Sequence, residues 1–305
     1  EDLIDGNSKF NIIKSLVRRL EPSLAEDDEH IRNIIGDMEY VISTMSGAGD
    51  FKSGSYKNSQ LKGIMEEYND LKRQSGKYDY DDILSHCLNM LAEAPKILKE
   101  VRERFKYILV DEFQDINALQ FEAIKLIAEP LNNIFVVGDD DQSIYGFRGA
   151  APDILLNFEK LYPGCSKIYL KTNYRTTSNI LAAALSVINS NKNRYYKTLE
   201  TVKGKGSLPV VFEVEDFEQE ARTIAARIVQ MIKNRRKFSD FAVIYRTNLQ
   251  SRAVIDAFLD FGIPFITFDD MVFIYNHWIF RDIISYLKLG AGLGDTRDFI
   301  RIMNR

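Results

Sequence analysis

Two adjacent carboxylates, Asp111 and Glu112, directly follow a short apolar run at 107–110. Side chains of neighbouring residues point in different directions, so the two groups can do different work. One carboxylate at such a place suits hydrated Mg²⁺, which prefers oxygen ligands, and the other can orient or deprotonate an attacking water. The alternative is that either one only caps the next helix. The apolar run before the pair and the segment 113–115 (Phe-Gln-Asp) after it favour a functional site.

A second apolar run, at 134–137, ends in Gly138, three aspartates and Gln142. The amide of Gln142 can hydrogen-bond a phosphate oxygen or a water without adding charge. The alternative is an ordinary polar turn on the surface.

An aromatic and basic loop comes next, with Tyr145, Phe147 and Arg148 placed around Gly146 and Gly149. Aromatic rings interleaved with a cation are typical of surfaces on which unpaired bases stack. The alternative for the two rings is packing in the core.

A further polar segment, 173–178, precedes an apolar helical pattern. Thr176 or Thr177 is predicted to be the N-cap of that helix, because a threonine hydroxyl can accept a hydrogen bond from the first turn. Arg175 either forms an ordinary salt bridge or projects from a second α/β lobe towards a phosphate held by the first.

These side chains need a scaffold that brings them together. The two apolar runs, separated by a helical pattern, predict neighbouring strands of a parallel sheet that is buried on both faces. In such sheets ligands bind beyond the carboxyl ends of the strands, which is where the acidic residues lie.

Hydrophobic periodicity predicts helices up to residue 105 and alternating strands and helices after it. The helices of the first part are predicted at 10–20, 30–44, 58–74, 80–91 and 95–105. The strands of the second part are predicted at 107–110, 134–137, 167–170, 210–214, 241–245 and 264–267. The later helices are predicted at 117–128, 152–161, 178–189, 218–233, 249–261, 280–289 and 298–303. The pattern predicts a helical subdomain followed by an α/β fold built from parallel units.

The composition is that of a globular protein, with 45% hydrophobic and 28% charged residues among 305. That length allows two domains with cores of their own. No apolar stretch approaches the ~20 residues of a membrane helix, and the first ten residues lack the pattern of a signal peptide. Cys87 and Cys165 are too few and too far apart to predict a disulfide or a zinc site, so we expect a cytoplasmic protein without a membrane partner.

The net charge of −4 argues weakly against a nucleic-acid partner. The charge is unevenly distributed, however: residues 1–100 carry a net −6 and residues 101–305 a net +2. A local basic groove in the second part is therefore compatible with nucleic-acid binding.

Four segments resemble successive motifs of the superfamily 1 DNA helicases of the UvrD/PcrA/Rep type. They are VDEFQD at 110–115, VVGDDDQSIYGFRGA at 136–150, NYRTTSNIL at 173–181 and IYRTNLQSR at 244–252. Residues 1–99 resemble the helical insertion of the family more loosely, through KYDYDDIL at 77–84. The resemblance implies an α/β fold with two partial RecA-like P-loop NTPase lobes and a helical insertion subdomain at the N-terminal end.

The resemblance also implies roles for individual residues, with ATP and Mg²⁺ as cofactors. Asp111 would hold Mg²⁺, Glu112 would activate the water that attacks the γ-phosphate, and Gln142 would sense that phosphate. Tyr174 would stack near the adenine, and Arg175 would act as an arginine finger from the second lobe.

Single-stranded DNA and duplex junctions are the implied partners. The residues that would contact DNA are Tyr145, Phe147, Arg148, Asn248 and Arg252. Phe147 departs from the Trp that is usual at its position, but it keeps a stacking face. The alternative for the 248–252 segment is an ordinary helix start with a surface arginine.

The sequence contains no G-x-x-x-x-G-K-[ST] phosphate-binding loop. We therefore expect an internal piece of a helicase that moves 3′ to 5′ on single-stranded DNA, and we expect this piece alone to be inactive. The expected domains are 1–99 (first insertion), 100–171 (second half of the first lobe), 172–278 (first half of the second lobe) and 279–305 (start of a second insertion). Three alternatives stay open: a subunit of a helicase–nuclease complex, a non-catalytic nucleic-acid-binding relative, and an unrelated α/β binding module.

Overall fold

The computed structural model of the protein describes residues 3–47, 58–268 and 278–303. Within these ranges, the side chains of Asn58, Asn248, Leu249 and Trp278 are not described. The chain divides into two compact units, 1–209 and 210–305. None of the described helices combines the length and the hydropathy needed to cross a lipid bilayer.

The first unit opens with five helices. They are α1 (Gly6–Leu20), α2 (Asp28–Ser43), α3 (Asn58–Ser75), α4 (Tyr80–Glu93) and α5 (Pro95–Arg104). Three of them begin at aspartate N-caps, Asp5, Asp27 and Asp79, whose carboxylates accept backbone N–H groups of the first turn. Apolar faces of α1, α2 and α3 meet in a core that includes Ile13 and Ile34. The five predicted helices are thus confirmed, with small shifts at their ends.

A buried cluster of charges ties α1, α3 and α4 together. The Asp79 carboxylate accepts hydrogen bonds from the Tyr68 hydroxyl at 3.0 Å and from Lys72 Nζ at 3.2 Å. Lys9 Nζ lies 4.0 Å from the same carboxylate. Burial by itself would raise the pKa of Asp79, but the Asp82 N–H, Lys72 and Lys9 together outweigh it and hold that pKa below its ordinary value.

A parallel strand–helix–strand unit follows. It consists of β1 (Ile108–Val110), α6 (Ala118–Ala128) and β2 (Ile134–Val136), and the short helices α7 (Pro152–Leu156) and α8 (Phe158–Leu161) come after it. The register pairs Val110 with Val136, so the prediction of neighbouring parallel strands is confirmed. The single helix predicted at 152–161 is broken at Asn157, whose side-chain amide donates to the Asp153 carbonyl at 2.8 Å.

The prediction that this sheet is buried on both faces is wrong for the described residues. Val110 and Val136 pack against the core around Phe113. Leu109 and Phe135, which pair with each other, are 72% and 59% exposed. One face of the sheet is therefore covered by helices, while the other is apolar and open to solvent in the part of the chain that the structure describes.

A second parallel pair lies further along the first unit. Its elements are β3 (Thr172–Thr177), α9 (Ser178–Ile188) and β4 (Glu200–Lys203). Neither strand is among the sequence predictions, and the Thr201 hydroxyl ties them by donating to the Thr176 carbonyl at 2.6 Å. Thr177 is the N-cap of α9, as predicted, but its hydroxyl makes no capping hydrogen bond to the described residues.

The second unit is helical. Its elements are α10 (Phe217–Lys233), α11 (Asn248–Asp260), α12 (Trp278–Gly290) and α13 (Thr296–Met303). Helices α10 and α11 share a core that contains Ala225, Ile228 and Phe258. Helix α13 is joined to α12 by Arg301 Nε, which donates to Asp282 Oδ1 at 2.6 Å.

Four predicted strands do not form among the described residues, namely 167–170, 210–214, 241–245 and 264–267. Their apolar side chains are largely exposed, with Ile168 at 79%, Val211 at 94% and Ile244 at 93%. A strand needs a neighbour that takes up its backbone hydrogen bonds, and the described residues form only the pairs β1–β2 and β3–β4. An apolar run predicts a strand by its side chains alone and does not reveal whether such a neighbour is present.

Candidate functional site

The pair Asp111–Glu112 lies immediately after β1, and both residues are exposed. Glu112 has left-handed backbone angles, with φ 50° and ψ 41°. Asp111 Oδ1 accepts a hydrogen bond from the Glu112 N–H at 2.9 Å. A non-glycine residue in this region is uncommon and is typical of positions where the surroundings hold a functional group in place. The turn ends β1 and leaves both carboxylates accessible.

The hydrogen bonds between β1 and β2 continue past the strands and bring the two polar segments together. The Val137 N–H donates to the Val110 carbonyl, and the Phe113 N–H donates to the Val137 carbonyl, both at 2.9 Å. A Cβ atom on Gly138 would lie 2.7 Å from Gln114 Oε1 and 3.2 Å from Gln114 N. Real Cβ atoms essentially never come within 3.0 Å of another heavy atom, so any larger residue at 138 would displace the Gln114 carboxamide, and glycine allows the close approach.

Gln114 joins the two strand ends, and no sequence prediction gives it a role. It is 1% exposed. Its Nε2 donates to Glu112 Oε2 at 2.7 Å, and its Oε1 accepts the Asp139 N–H at 2.9 Å. A buried amide with both ends satisfied has one defined orientation. The available signal in the sequence is a polar residue between Phe113 and Ile116, which both face the core.

Gln142 ends a short 3₁₀ turn that begins at Asp140. Its Nε2 donates to Asp139 Oδ2 at 2.8 Å. Burial by itself would raise the pKa of Asp139, but hydrogen bonds from Lys197 and Gln142 outweigh it and lower that pKa, which keeps the carboxylate an acceptor. Through Gln114 and Asp139, the predicted site residues Glu112 and Gln142 belong to one hydrogen-bonded cluster.

The aromatic loop lies on the surface, as its predicted role requires. Tyr145 is 40% exposed and Phe147 is 69% exposed, so the alternative of core packing is wrong for both rings. The Arg148 guanidinium lies 5.4 Å from the Tyr145 ring centre and 5.5 Å from the Phe147 ring centre. Two accessible rings with a cation beside both of them form a surface on which bases can stack.

Tyr174 and Arg175 lie in β3. Tyr174 is 70% exposed, and Arg175 is exposed as well. The Asn173 carboxamide fixes the local backbone by accepting the Arg175 N–H at 2.8 Å. Among the described residues the Arg175 guanidinium forms no ion pair, and neither Tyr174 nor Arg175 touches the Glu112–Gln142 cluster. The structure therefore leaves both side chains available without bringing them to the carboxylates.

The last two predicted DNA-contacting residues are in the second unit. Asn248 is the first residue of α11, and its side chain lies outside what the structure describes. Arg252 is on the next turn of α11, about half exposed, with Nε 4.0 Å from Asp256 Oδ2. An exposed pair of this kind contributes little to stability and leaves the arginine free to contact a ligand.

Asp111 is the predicted magnesium ligand, and its chemistry fits that ion. One carboxylate oxygen accepts the Glu112 N–H, and within the described part of the chain no cation pairs with the other. Proteins commonly hold Mg²⁺ by one or two carboxylates, while waters and substrate phosphates complete the coordination. No group of three or more His, Cys, Asp or Glu side chains among the described residues is placed to hold an ion. A single carboxylate such as Asp111 could hold Mg²⁺ together with waters and a bound phosphate.

A cavity of about 410 Å³ lies away from this cluster, between α5 and the end of α6. Its walls include Leu98, Arg102, Ile108 and Pro130. Ile108 begins β1, so the cavity is at the amino end of the strands. Because ligands of parallel α/β sheets bind at the carboxyl ends, the Asp111–Gln142 side is the better candidate for the functional site.

A parallel strand–helix–strand unit with polar side chains beyond the carboxyl ends of both strands is typical of α/β proteins, and the edge with these side chains is the candidate ligand site. Residues 3–163 match the family described as UvrD/REP helicase N-terminal domain, and residues 168–305 match the UvrD-like helicase C-terminal domain. The chain therefore belongs to the UvrD/REP helicase family, and the predicted resemblance is confirmed.

Curated relatives agree with this assignment. The chain is 40% identical over 237 residues to a putative ATP-dependent DNA helicase, YjcD of Bacillus subtilis, covering 78% of this chain and 31% of the relative. It is 34% identical to the ATP-dependent DNA helicase PcrA of Leuconostoc citreum, covering 99% of this chain and 40% of the relative. It is 32% identical to PcrA of Staphylococcus aureus, covering 99% and 41%. The chain thus spans well under half the length of these relatives.

Proposed function

We propose that this chain is part of an ATP-dependent DNA helicase that moves 3′ to 5′ along single-stranded DNA and unwinds duplex junctions. One observation carries the proposal: Gln114 joins Glu112 at the end of β1 to the Asp139–Gln142 segment at the end of β2. A carboxylate that can activate water and an amide that can sense a phosphate then belong to one connected group. The family membership supplies the substrate class, ATP and DNA.

We propose the domain division expected from the sequence for the longer protein. Residues 1–99 form a first insertion, 100–171 the second half of one RecA-like lobe, 172–278 the first half of another, and 279–305 the start of a second insertion. The exposed apolar side chains Leu109 and Phe135 support the description of 100–171 as half of a lobe, because the faces of a parallel α/β sheet are normally covered.

Hydrolysis of ATP would use the side chains at the end of β1. Asp111 would hold the magnesium ion, which supplies charge stabilisation to the phosphates. Glu112 would accept a proton from the attacking water, and the hydrogen bond from Gln114 Nε2 would hold its carboxylate in place. Gln142 would contact the γ-phosphate or the water through its exposed amide.

Two exposed residues of β3 would complete the nucleotide site when the lobes close. Tyr174 would stack near the adenine. Arg175 would stabilise the developing phosphate charge as an arginine finger, a contribution of roughly 10³–10⁵ in rate in related motors. The unpaired state of its guanidinium among the described residues supports this role, since no protein carboxylate competes for it.

The DNA strand would stack on Tyr145 and Phe147, with Arg148 beside both rings, and Asn248 and Arg252 would contact the backbone. The exposure of both rings supports the first part of this assignment. Stacking on an aromatic ring contributes about 1–3 kcal/mol per base and tolerates any sequence, which suits a motor that must pass along every sequence.

The 305-residue chain by itself is proposed to hydrolyse essentially no ATP, because its sequence contains no phosphate-binding loop of the G-x-x-x-x-G-K-[ST] type. The decisive measurement is DNA-stimulated ATP hydrolysis by the full-length protein and by this chain in parallel. We expect activity only in the longer protein, and we expect Glu112→Gln to lower its kcat by roughly 10²–10⁴, the usual contribution of a general base.

Glu100→Gln is the matched control, because Glu100 is an exposed glutamate of α5 away from the cluster. It should leave kcat unchanged. A full-length Glu112→Gln variant with normal hydrolysis would refute the assignment, and single-strand binding without any hydrolysis would instead indicate a non-catalytic relative.

A further inference from the structure

Three consecutive carboxylates precede Gln142, and their mutual repulsion must be offset if the segment is to keep one shape. Lys197 provides the main offset. Its Nζ lies 2.5 Å from Asp139 Oδ1, 2.5 Å from Asp140 Oδ1 and 3.2 Å from Asp141 Oδ2. The Lys197 side chain is 13% exposed and that of Asp140 only 3%. One ammonium group, largely removed from water and salt screening, therefore holds all three carboxylates.

Arg194 adds a second, directional attachment. Its Nε and Nη2 donate to the two oxygens of Asp141 at 2.7 and 2.6 Å, while Nη1 donates to Asn189 Oδ1 at 2.7 Å. Asn189 is the C-cap of α9. The Tyr195 N–H donates to the remaining oxygen of Asp140 at 2.7 Å. A bidentate guanidinium–carboxylate pair fixes angle as well as distance, so the segment that follows α9 is firmly attached to the segment that carries Gln142.

Asp139 connects Lys197 to the candidate site residues Gln114 and Gln142. One of its carboxylate oxygens is engaged by Lys197 and the other by Gln142 Nε2. Its backbone N–H donates to Gln114 Oε1. Without Lys197, the remaining cation that the structure describes here would be Arg194, which pairs with Asp141. The Asp139 carboxylate would lose its own cation while it still faced two like charges, and of the described groups only the Asp141 N–H and Gln142 would hold it. The amide of Gln142 would then lose its defined orientation.

We propose that Lys197 is a positioning residue for ATP hydrolysis, which fixes Asp139 and, through Asp139, the amide of Gln142. The kinetic part of this inference rests on the proposed function. In this inference Lys197 acts through the Asp139 carboxylate and not through a contact of its own with substrate. A displacement of the segment after α9 would therefore change the orientation of the Gln142 amide. Two hydrogen bonds connect them, from Lys197 to Asp139 and from Gln142 to Asp139.

The first test needs no catalysis and uses the 305-residue chain. Hydrogen exchange of the peptide 138–148 should accelerate on the order of 10-fold in Lys197→Met, because local opening sets the exchange rate. Lys192→Met is the matched control: Lys192 is exposed, lies in the same segment, and makes no ion pair with the described residues. Exchange that is unchanged in Lys197→Met would overturn the inference.

The second test uses DNA-stimulated ATP hydrolysis by the full-length protein. Lys197→Met should lower kcat roughly 10²-fold, as expected when a reacting group is displaced, with the KM for ATP nearly unchanged. The melting temperature should fall as well, because buried carboxylates lose their main cation, so kcat is measured well below it. Lys197→Arg should recover most of the rate, since a guanidinium can still pair with the carboxylates. If Lys197 contributed to stability alone, Lys197→Met would lower the melting temperature but would not lower kcat at temperatures where the protein stays folded.

The outcomes separate the two proposals. Normal kcat in Lys197→Met, together with loss of hydrolysis in Glu112→Gln, would overturn this inference and leave the proposed function standing. Normal kcat in both variants would overturn the proposed function. If Lys197→Met fails to fold, Asp139→Asn replaces it, because this change removes the Lys197–Asp139 ion pair at similar size and leaves the pairs with Asp140 and Asp141 in place. A normal kcat in Asp139→Asn would overturn the inference as well.

Discussion

At the scale of single residues, Gly149 shows how the aromatic loop is fixed in place. It is buried, and its φ of +81° is one that side-chain-bearing residues rarely adopt. A Cβ atom at this position would lie 2.0 Å from Ser43 Oγ and 2.9 Å from Ser43 Cβ. Ser43 is the last residue of α2. The loop that carries Tyr145 and Phe147 therefore rests directly on the N-terminal helices.

Gly149→Ala should destabilise the first unit. Backbone strain at positive φ costs about 1–2 kcal/mol, and the clash with Ser43 should add about 1–3 kcal/mol, the usual cost of overpacking. Urea unfolding measured by circular dichroism gives the difference. The control is Gly164→Ala, because Gly164 has a similar φ of +88° and a Cβ atom added there would meet nothing within 4 Å.

Equal losses in the two alanine variants would show that strain alone acts at residue 149. A second variant examines the clash directly: Ser43→Gly in the Gly149→Ala background removes both nearest atoms. It should recover part of the lost stability even though a glycine within a helix costs backbone entropy.

At the scale of elements, α4 begins at a residue with two jobs. The Asp79 carboxylate caps the helix by accepting the Asp82 N–H. It also accepts hydrogen bonds from Lys72 and Tyr68 of α3. Breaking a buried ion pair leaves its partner uncompensated. If the Asp79 charge is removed, Lys72 still has an ion-pair partner in Asp82, whose carboxylate lies 2.7 Å from Lys72 Nζ. This limits the loss of stability.

Asp79→Asn should therefore lower the free energy of unfolding by about 1–3 kcal/mol at neutral pH. The pKa of Asp79 is lowered on folding, so its stabilising contribution is fully present above the unfolded value of 3.8 and is lost as the pH falls through the folded value. The difference between wild type and Asp79→Asn should shrink on acidification. Urea unfolding over a series of pH values measures it.

The control for that series is Asp70→Asn, which removes a surface carboxylate paired with Arg73. Its effect should stay within about 0.5 kcal/mol. A wild-type advantage that stayed constant down to about pH 3 would contradict the ion-pair explanation.

The sequence predicts helices much better than strands in this protein, and the reason is physical. A helix satisfies its hydrogen bonds locally, and its caps are a few residues away, as at Asp27 and Asp79. The apolar run at 241–245 has the side chains of a strand but no pairing partner among the described residues. Threonine-rich β3 lacks an apolar run but has a partner in β4.

Some residues of the candidate site could likewise be predicted from the sequence, and others could not. Asp111 and Glu112 could be predicted because they follow an apolar run directly, and Gln142 because it lies in the polar segment after the next run. Lys197 could not, because its hydrogen-bond partner Asp139 is 58 residues away in the sequence. Neither charge patterning nor periodicity links residues at that distance, so only the folded structure reveals which cation meets which carboxylate.

At the scale of the whole molecule, the chain changes from one compact unit to the other at 209/210. No helix or strand covers residues 204–216. Val211 is 94% exposed and Glu213 is exposed. The sequence analysis, in contrast, predicts a strand at 210–214. Proteolysis distinguishes an exposed loop from a strand here, because paired strands resist cleavage.

A glutamate-specific protease should cut the native chain early after Glu213, giving products 1–213 and 214–305 that intact-mass spectrometry identifies. A double variant, Glu213→Gln with Glu215→Gln, removes both glutamates of the segment and should abolish this early cut. Persistent protection of the wild-type chain at this site would instead support the strand.

The carboxamide of Gln114 has one further consequence for how acidic groups can gather at the edge of this sheet. It meets a carboxylate with its amino end and a backbone amide with its oxygen, and it brings no net charge of its own. Glutamate has nearly the same shape, yet at neutral pH it could not donate to Glu112 and would insert another negative group between two acidic segments. The uncharged carboxamide of Gln114 is therefore what lets these two acidic segments lie side by side. Gln114→Glu, usually regarded as a conservative substitution, would push them apart by charge repulsion.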